Sequence, residues 1–194
     1  MKRFVFDIDK AVAAAAYLTK KRGGKISVFI LLKMLYAGER QALLGWHRPI
    51  TGDNFVSMPK GPVLSRIYDL IKGTVLAGES DMQKWSQHFS SRQQNHVTLL
   101  AEPDFDFLSQ RELEALDAAF EEIQALENEH GLIADVLHAR WPEWKDPKTS
   151  CGKGSAPIEL TEILEQSLDD EDEIQRITLE IQAVQSAKAA LQAD

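Results

Sequence analysis

The chain has 194 residues, 44% hydrophobic and 27% charged, which excludes a wholly disordered, collagen-like or disulfide-scaffold protein and leaves room for a sizeable core. Lys plus Arg number 22 and Asp plus Glu 30, so the net charge is −8. That balance argues against nucleic acid or an anionic membrane as the main partner and favours a basic protein.

The single cysteine, Cys151, rules out an internal disulfide and favours a reducing compartment. No uninterrupted apolar run reaches the roughly 18–20 residues of a membrane span. Asp7 and Asp9 interrupt the opening segment where a secretory signal needs apolar residues, so a cytoplasmic protein is expected.

Asp7 to about Arg22 reads as an alanine-rich helix stopped by Gly23-Gly24. Ser27 is expected to cap a second helix that runs to Trp46. Its first half, Val28 to Tyr36, is apolar on nearly every side, as in a buried central helix, apart from Lys33. A buried ammonium needs a partner or a route to solvent. Either Lys33 snorkels at the helix edge or it pairs with Asp53 or Glu39.

Residues 47–63 carry Pro49, Gly52, Pro59, Gly61 and Pro62. This punctuation predicts a small β-hairpin, with extended pieces near Ile50 and Phe55–Met58 flanking Thr51 to Asn54. Pro62 then suits the first position of a third helix, to about Val75. Lys84–Phe89 and His96–Leu100 read as two strands around the polar turn 90–95. Ser109 and Glu112 form a capping box that opens a helix carrying Leu113, Leu116, Phe120, Ile123 and Leu126 on one face, stopped by Gly131.

Another helix is expected over Leu132–Arg140, then a polar loop over 145–157 and a short helix over Glu159–Gln166. The last helix begins near Asp170, behind an acidic run that suits a helix N-terminus. Ile174, Ile177, Ile181, Val184 and Leu191 make a heptad-like stripe broken by Lys188. The stripe suits packing on the chain's own domain, binding to a partner, or homo-oligomer formation.

Signals for chemistry are sparse. Gly152-Lys153 resembles the end of a phosphate loop, but Pro147 and Gly154 stand where Gly and Ser or Thr are needed. His47, His88, His96, His130 and His138 contain no i, i+4 pair, and no second cysteine exists to complete a Cys-based zinc site. His138 is expected in a hydrogen-bonded structural role. An enzyme would require His138 or Cys151 at a cleft that gathers perturbed titratable groups.

The stretch from Ile30 to Ile71 resembles the Panacea, or SocA-like, antitoxin domain. The likeness rests on Leu31, Lys33, Leu35, Tyr36 and Glu39 in the apolar helix, then Arg48, Pro49, Ile50, Thr51, Gly52 and Asp53. It continues through Met58, Pro59, Gly61, Pro62, Val63 and Tyr68. His138 and Trp144 fit a His-containing helix followed by a tryptophan. The chain departs from the pattern at Trp46-His47, where a glycine is usual, and at Ala37-Gly38-Glu39.

The resemblance implies a mainly helical α+β domain with a small antiparallel β element over 1–157, followed by a helical extension over 158–194. It implies an antitoxin that binds a cognate protein toxin, or an adaptor that delivers the toxin to a Clp-type protease, with no cofactor, metal or catalytic centre. Expected partner contacts are Trp46, His47, Arg48, Ile50, Thr51, Asp53, Phe55, Met58, Lys60 and Tyr68. Aromatic and arginine side chains are favoured as anchors. Lys33, Tyr36, Glu39, Pro49, Gly52, Pro59, Gly61 and Pro62 are expected to shape the motif.

Overall fold

The computed structural model describes residues 5–131 and 134–191. Helix α1 (Ile8–Lys21) is capped by Asp7, whose carboxylate accepts from the Lys10 N–H at 3.1 Å. Its alanines Ala13 to Ala16 are buried, and such small side chains let neighbouring helices approach closely. Gly23 and Gly24, both at positive φ, turn the chain into β1 (Lys25–Ser27), a strand the sequence reading lacks. Strand β1 pairs antiparallel with β4 (His96–Thr98), so its evidence lies some 70 residues away.

Helix α2 (Val28–Trp46) is buried on nearly all sides and packs along α5 (Gln110–His130). Ser27 precedes it but makes no side-chain cap. The first N–H of α2, on Val28, instead donates to the Asn95 carbonyl at 2.8 Å. The capping box of α5 forms as expected, and Gly131 ends the helix.

The hairpin differs from expectation. Strand β2 (Phe55–Met58) pairs with β3 (Gly61–Leu64), with the turn at Pro59-Lys60, whereas Ile50 to Asn54 form a loop. Pro62 lies opposite Ser57 in β3 rather than in a helix. Strand β3 is an edge, where a residue without an N–H is tolerated. Helix α3 (Ser65–Lys72) therefore starts later, and Val75 belongs to a separate 3-10 turn, Val75–Ala77.

Residues Lys84–Phe89 are not a strand, since α4 (Glu79–His88) covers nearly all of them. Trp85 and Phe89 sit four apart, both buried, and stack with centroids 4.3 Å apart. That contact needs helical rather than alternating geometry.

Of the expected helix over Leu132–Arg140, Leu132 and Ile133 lie outside the described residues, and α6 spans Ala134–Arg140. The expected polar loop over 145–157 contains α7 (Pro147–Cys151), capped by Asp146, and β5 (Ala156–Pro157). Strand β5 pairs with β2 and gives the sheet order β3-β2-β5. Helix α8 (Leu160–Leu164) leads to α9 (Glu171–Leu191).

Ile174, Ile177 and Ile181 of α9 are buried in the same apolar cluster as α1, α2 and α5, while Val184 is part-exposed. The side chains of Lys188 and Leu191 lie outside the described residues. The fold is mainly helical with small antiparallel sheets. No described helix is long and apolar enough to cross a membrane.

Helices α2 and α5 meet closely at Gly38, where a Cβ would sit 2.9 Å from Leu116 Cδ2. Gly38→Ala is expected to change stability by less than about 1 kcal/mol, because the gain in helix propensity offsets a small shift of that leucine. Gly38→Leu should cost about 1–3 kcal/mol through overpacking. Urea unfolding of the two variants checks both values.

Candidate functional site

A polar stripe runs down buried α2 at Lys33, Tyr36, Glu39 and Arg40, spaced to share one side of the helix. Together these four side chains grip three different segments. Lys33 is only 1% exposed, and its Nζ donates to the Pro62 carbonyl at 2.6 Å and lies 5.3 Å from the Phe29 ring centroid. It neither snorkels nor pairs with Asp53 or Glu39, which bind backbone elsewhere. Burial lowers its pKa to about 7.

Gly61, at φ 97°, passes directly beside this amine. A Cβ there would sit 2.8 Å from Lys33 Nζ and 3.5 Å from His138 Cδ2. Only a glycine allows that approach.

One turn on, the Tyr36 hydroxyl donates to Glu143 Oε1 at 2.7 Å, and Arg40 Nε donates to the same oxygen at 2.8 Å. Burial and the adjacent Glu143 carboxylate push the Tyr36 pKa well up. Trp141 packs on the Tyr36 ring at 4.9 Å, and Trp144 Nε1 donates to the Met58 carbonyl at 2.9 Å. The segment after α6 is thereby fastened to both α2 and the hairpin.

The Glu39 carboxylate accepts from the Ile50 and Thr51 N–H groups at 2.7 Å each, and from the Thr51 hydroxyl. Burial outweighs these donors and raises its pKa to about 7. Asp53 caps α3 from twelve residues before its first residue. Its carboxylate accepts from the Arg66 and Ile67 N–H groups, both at 2.9 Å, and from the Asn54 N–H at 2.6 Å. Its pKa rises to about 6, again chiefly through burial.

These bonds sort the expected contact residues. Ile50, Thr51, Asp53 and Phe55 are buried, so most of their surface serves the interior. Arg48 and Lys60 are exposed, and Trp46, His47, Met58 and Tyr68 are half-buried. Gly52, Gly61 and Pro62 are buried, Pro49 is half-buried, and Pro59 is exposed at the hairpin tip beside Lys60. His47 adopts the left-handed conformation that ends α2, which turns the chain toward Arg48.

Residues Trp46 to Gly52, of which Ile50, Thr51 and Gly52 are buried at its floor, line a groove of about 670 Å³. Its other walls are the first turn of α5, the segment before α1, and Glu180 to Gln185 of α9. Arg111 lies over Trp46, its guanidinium carbon 5.5 Å from the ring centroid. The α9 stripe with Ile181 and Val184 is visible in the sequence, but its place beside Trp46–Gly52, and the part of Arg111, arise only through long-range packing. Arg40 and Glu143 were missed for the same reason.

His138 and Cys151 do not line this groove. The His138 ring stacks on Trp144 with centroids 3.6 Å apart, and burial lowers its pKa. Its Nε2 is buried without a hydrogen-bond partner among the described residues, so packing rather than the expected hydrogen bonding holds the ring. Cys151 is exposed, and its thiol donates to the Pro147 carbonyl at 3.2 Å.

The family described as antitoxin SocA-like, Panacea domain, matches residues 31–145, more than half of the chain. No curated protein and no solved structure matches.

Lys33 loses its proton near pH 7 in the folded chain and near its ordinary value of 10.5 in the unfolded chain. Between those values the unfolded state binds the extra proton, so stability rises with pH. The unfolding free energy of the wild type minus that of Lys33→Met should therefore climb between about pH 7 and 9.5, by at most about 1.4 kcal/mol per pH unit. Urea titrations across that window test it. A flat difference would mean that the amine keeps an ordinary pKa.

Proposed function

This chain belongs to the family of SocA-like antitoxins with a Panacea domain, and on that premise we propose that it is the antitoxin of a toxin–antitoxin pair. It neutralises a cognate protein toxin by forming a direct complex in the cytoplasm. The reading is carried by the family match over residues 31–145, which takes in the α2 stripe, the loop held by Glu39, the hairpin and the tryptophans after α6. Within that stretch the buried polar groups hold segments together. Trp46, Arg48 and Lys60 remain at the surface, and tryptophan and arginine are favoured interface anchors. The net charge of −8 suits a basic toxin, which it would attract over a distance. The reading assigns no reaction and no cofactor.

A second reading makes the protein an adaptor that hands the bound toxin to a Clp-type protease. Such an adaptor needs a second surface. The exposed Val75 and Leu76, at 97% and 77%, favour this reading, because they form an apolar turn that shares no residue with the groove.

Expression of the adjacent reading frame alone should arrest growth. Co-expression of this protein should restore growth, and the two products should co-purify. Direct neutralisation predicts full rescue and unchanged toxin levels in cells lacking Clp protease. Rescue that requires the protease, with the toxin disappearing, selects the adaptor. An innocuous neighbour that forms no complex refutes both.

A further inference from the structure

The geometry points to the groove between Trp46–Gly52, the start of α5 and the distal part of α9 as the toxin-docking surface, and to a partner segment that sets an acidic side chain beside an apolar one. This inference rests on the antitoxin reading and names its interface.

The charges at the groove select that partner. Lys10 is already bound to Glu112 at 2.5 Å, so its charge is answered within the chain. Arg48 and Arg111 are exposed and make no ion pair or side-chain hydrogen bond among the described residues. Arg111 stands over the Trp46 ring, and Arg48 follows two residues along the same loop. One guanidinium thus stands over the half-buried indole, and a second, on Arg48, lines the same groove. A guanidinium fork matches a carboxylate in two-point geometry, and the indole offers a rigid apolar platform beside it. Val184 of α9, with the buried Ile181 beneath it, gives the groove an aliphatic wall, and two carboxylates also line it: Glu180, and Asp7, which is engaged in capping α1. A toxin segment fits if its carboxylate reaches Arg48 or Arg111 while its neighbouring apolar side chain lies on Trp46 and Val184. A basic toxin with one such acidic site also satisfies the overall charge of this chain.

The test uses the full chain and the product of the adjacent reading frame in titration calorimetry. Arg48→Glu and Arg111→Glu are each expected to weaken binding about tenfold or more, and the double variant at least about a hundredfold. Thermal unfolding midpoints should stay within a few degrees of the wild-type value, since neither guanidinium makes an ion pair among the described residues and Arg111 gives up only its stacking on Trp46. Arg92→Glu makes the same charge change on the exposed turn before β4 and should bind as wild type does. Changing a toxin Asp or Glu to Lys should restore binding to Arg48→Glu or Arg111→Glu, which a merely structural role could not produce.

Wild-type affinity in both groove variants, with loss in Lys60→Glu, would overturn the proposal and move docking to the hairpin tip. Absence of a complex with the wild-type chain would overturn the antitoxin reading itself, and it shows before any variant is made.

Discussion

Helix α2 has to be buried on almost every side and yet carries Lys33, Tyr36, Glu39 and Arg40. A helix satisfies its own backbone, so its polar side chains are free to satisfy someone else's. Lys33 answers a carbonyl of β3, Tyr36 and Arg40 answer the carboxylate of Glu143, and Glu39 answers two N–H groups of the loop at Ile50-Thr51. A sheet-edge strand, the loop after α2 and the segment after α6 are all placed by one helix. Leaving any of these buried groups unpaired would cost about 1–3 kcal/mol, more for a charge. That asymmetry holds the arrangement in a single register.

The same stripe explains why so much of the family motif lies inside. Arg48-Pro49-Ile50-Thr51-Gly52-Asp53 looks like an exposed recognition loop because prolines, glycines and polar residues usually mark a surface turn. Here the loop folds back. Its backbone donors point at Glu39, Thr51 and Asp53 are fully enclosed, and only its first residues remain at the surface. Trp46, His47 and Arg48, where the motif meets the end of α2, are the part of it left accessible to solvent.

Much of the helical frame was legible in the sequence. The capping box at Ser109, the apolar face from Leu113 to Leu126 and the glycine stop all describe local geometry, and α5 follows them. The burial of α2 was equally plain from its composition. The strands were harder, because β1 and β5 have three and two residues and gain their bonds from partners far along the chain. Pro62 misled for a physical reason: the first turn of a helix and the edge of a sheet both lack a required N–H, so proline fits either. Trp85 and Phe89 misled because a short run with alternating apolar residues also contains an i, i+4 pair. The candidate groove was half legible. Trp46 and Arg48 stood out as anchors, but Arg111 and the α9 wall arrive there only in three dimensions.

Asp53 gives α3 a cap that the helix does not contain. An ordinary capping residue is adjacent in sequence, so its helix can form and fray on its own. This one lies in a loop that is itself gripped by Glu39. Helix α3 is only eight residues long, too short to persist alone in water. Its first turn therefore depends on α2 and on the loop docked against it. Helix α3 is thus a dependent element, coupled to α2 through the loop between them. Its Arg66 and Ile67 amides would exchange with solvent when that loop undocks rather than when the helix end frays.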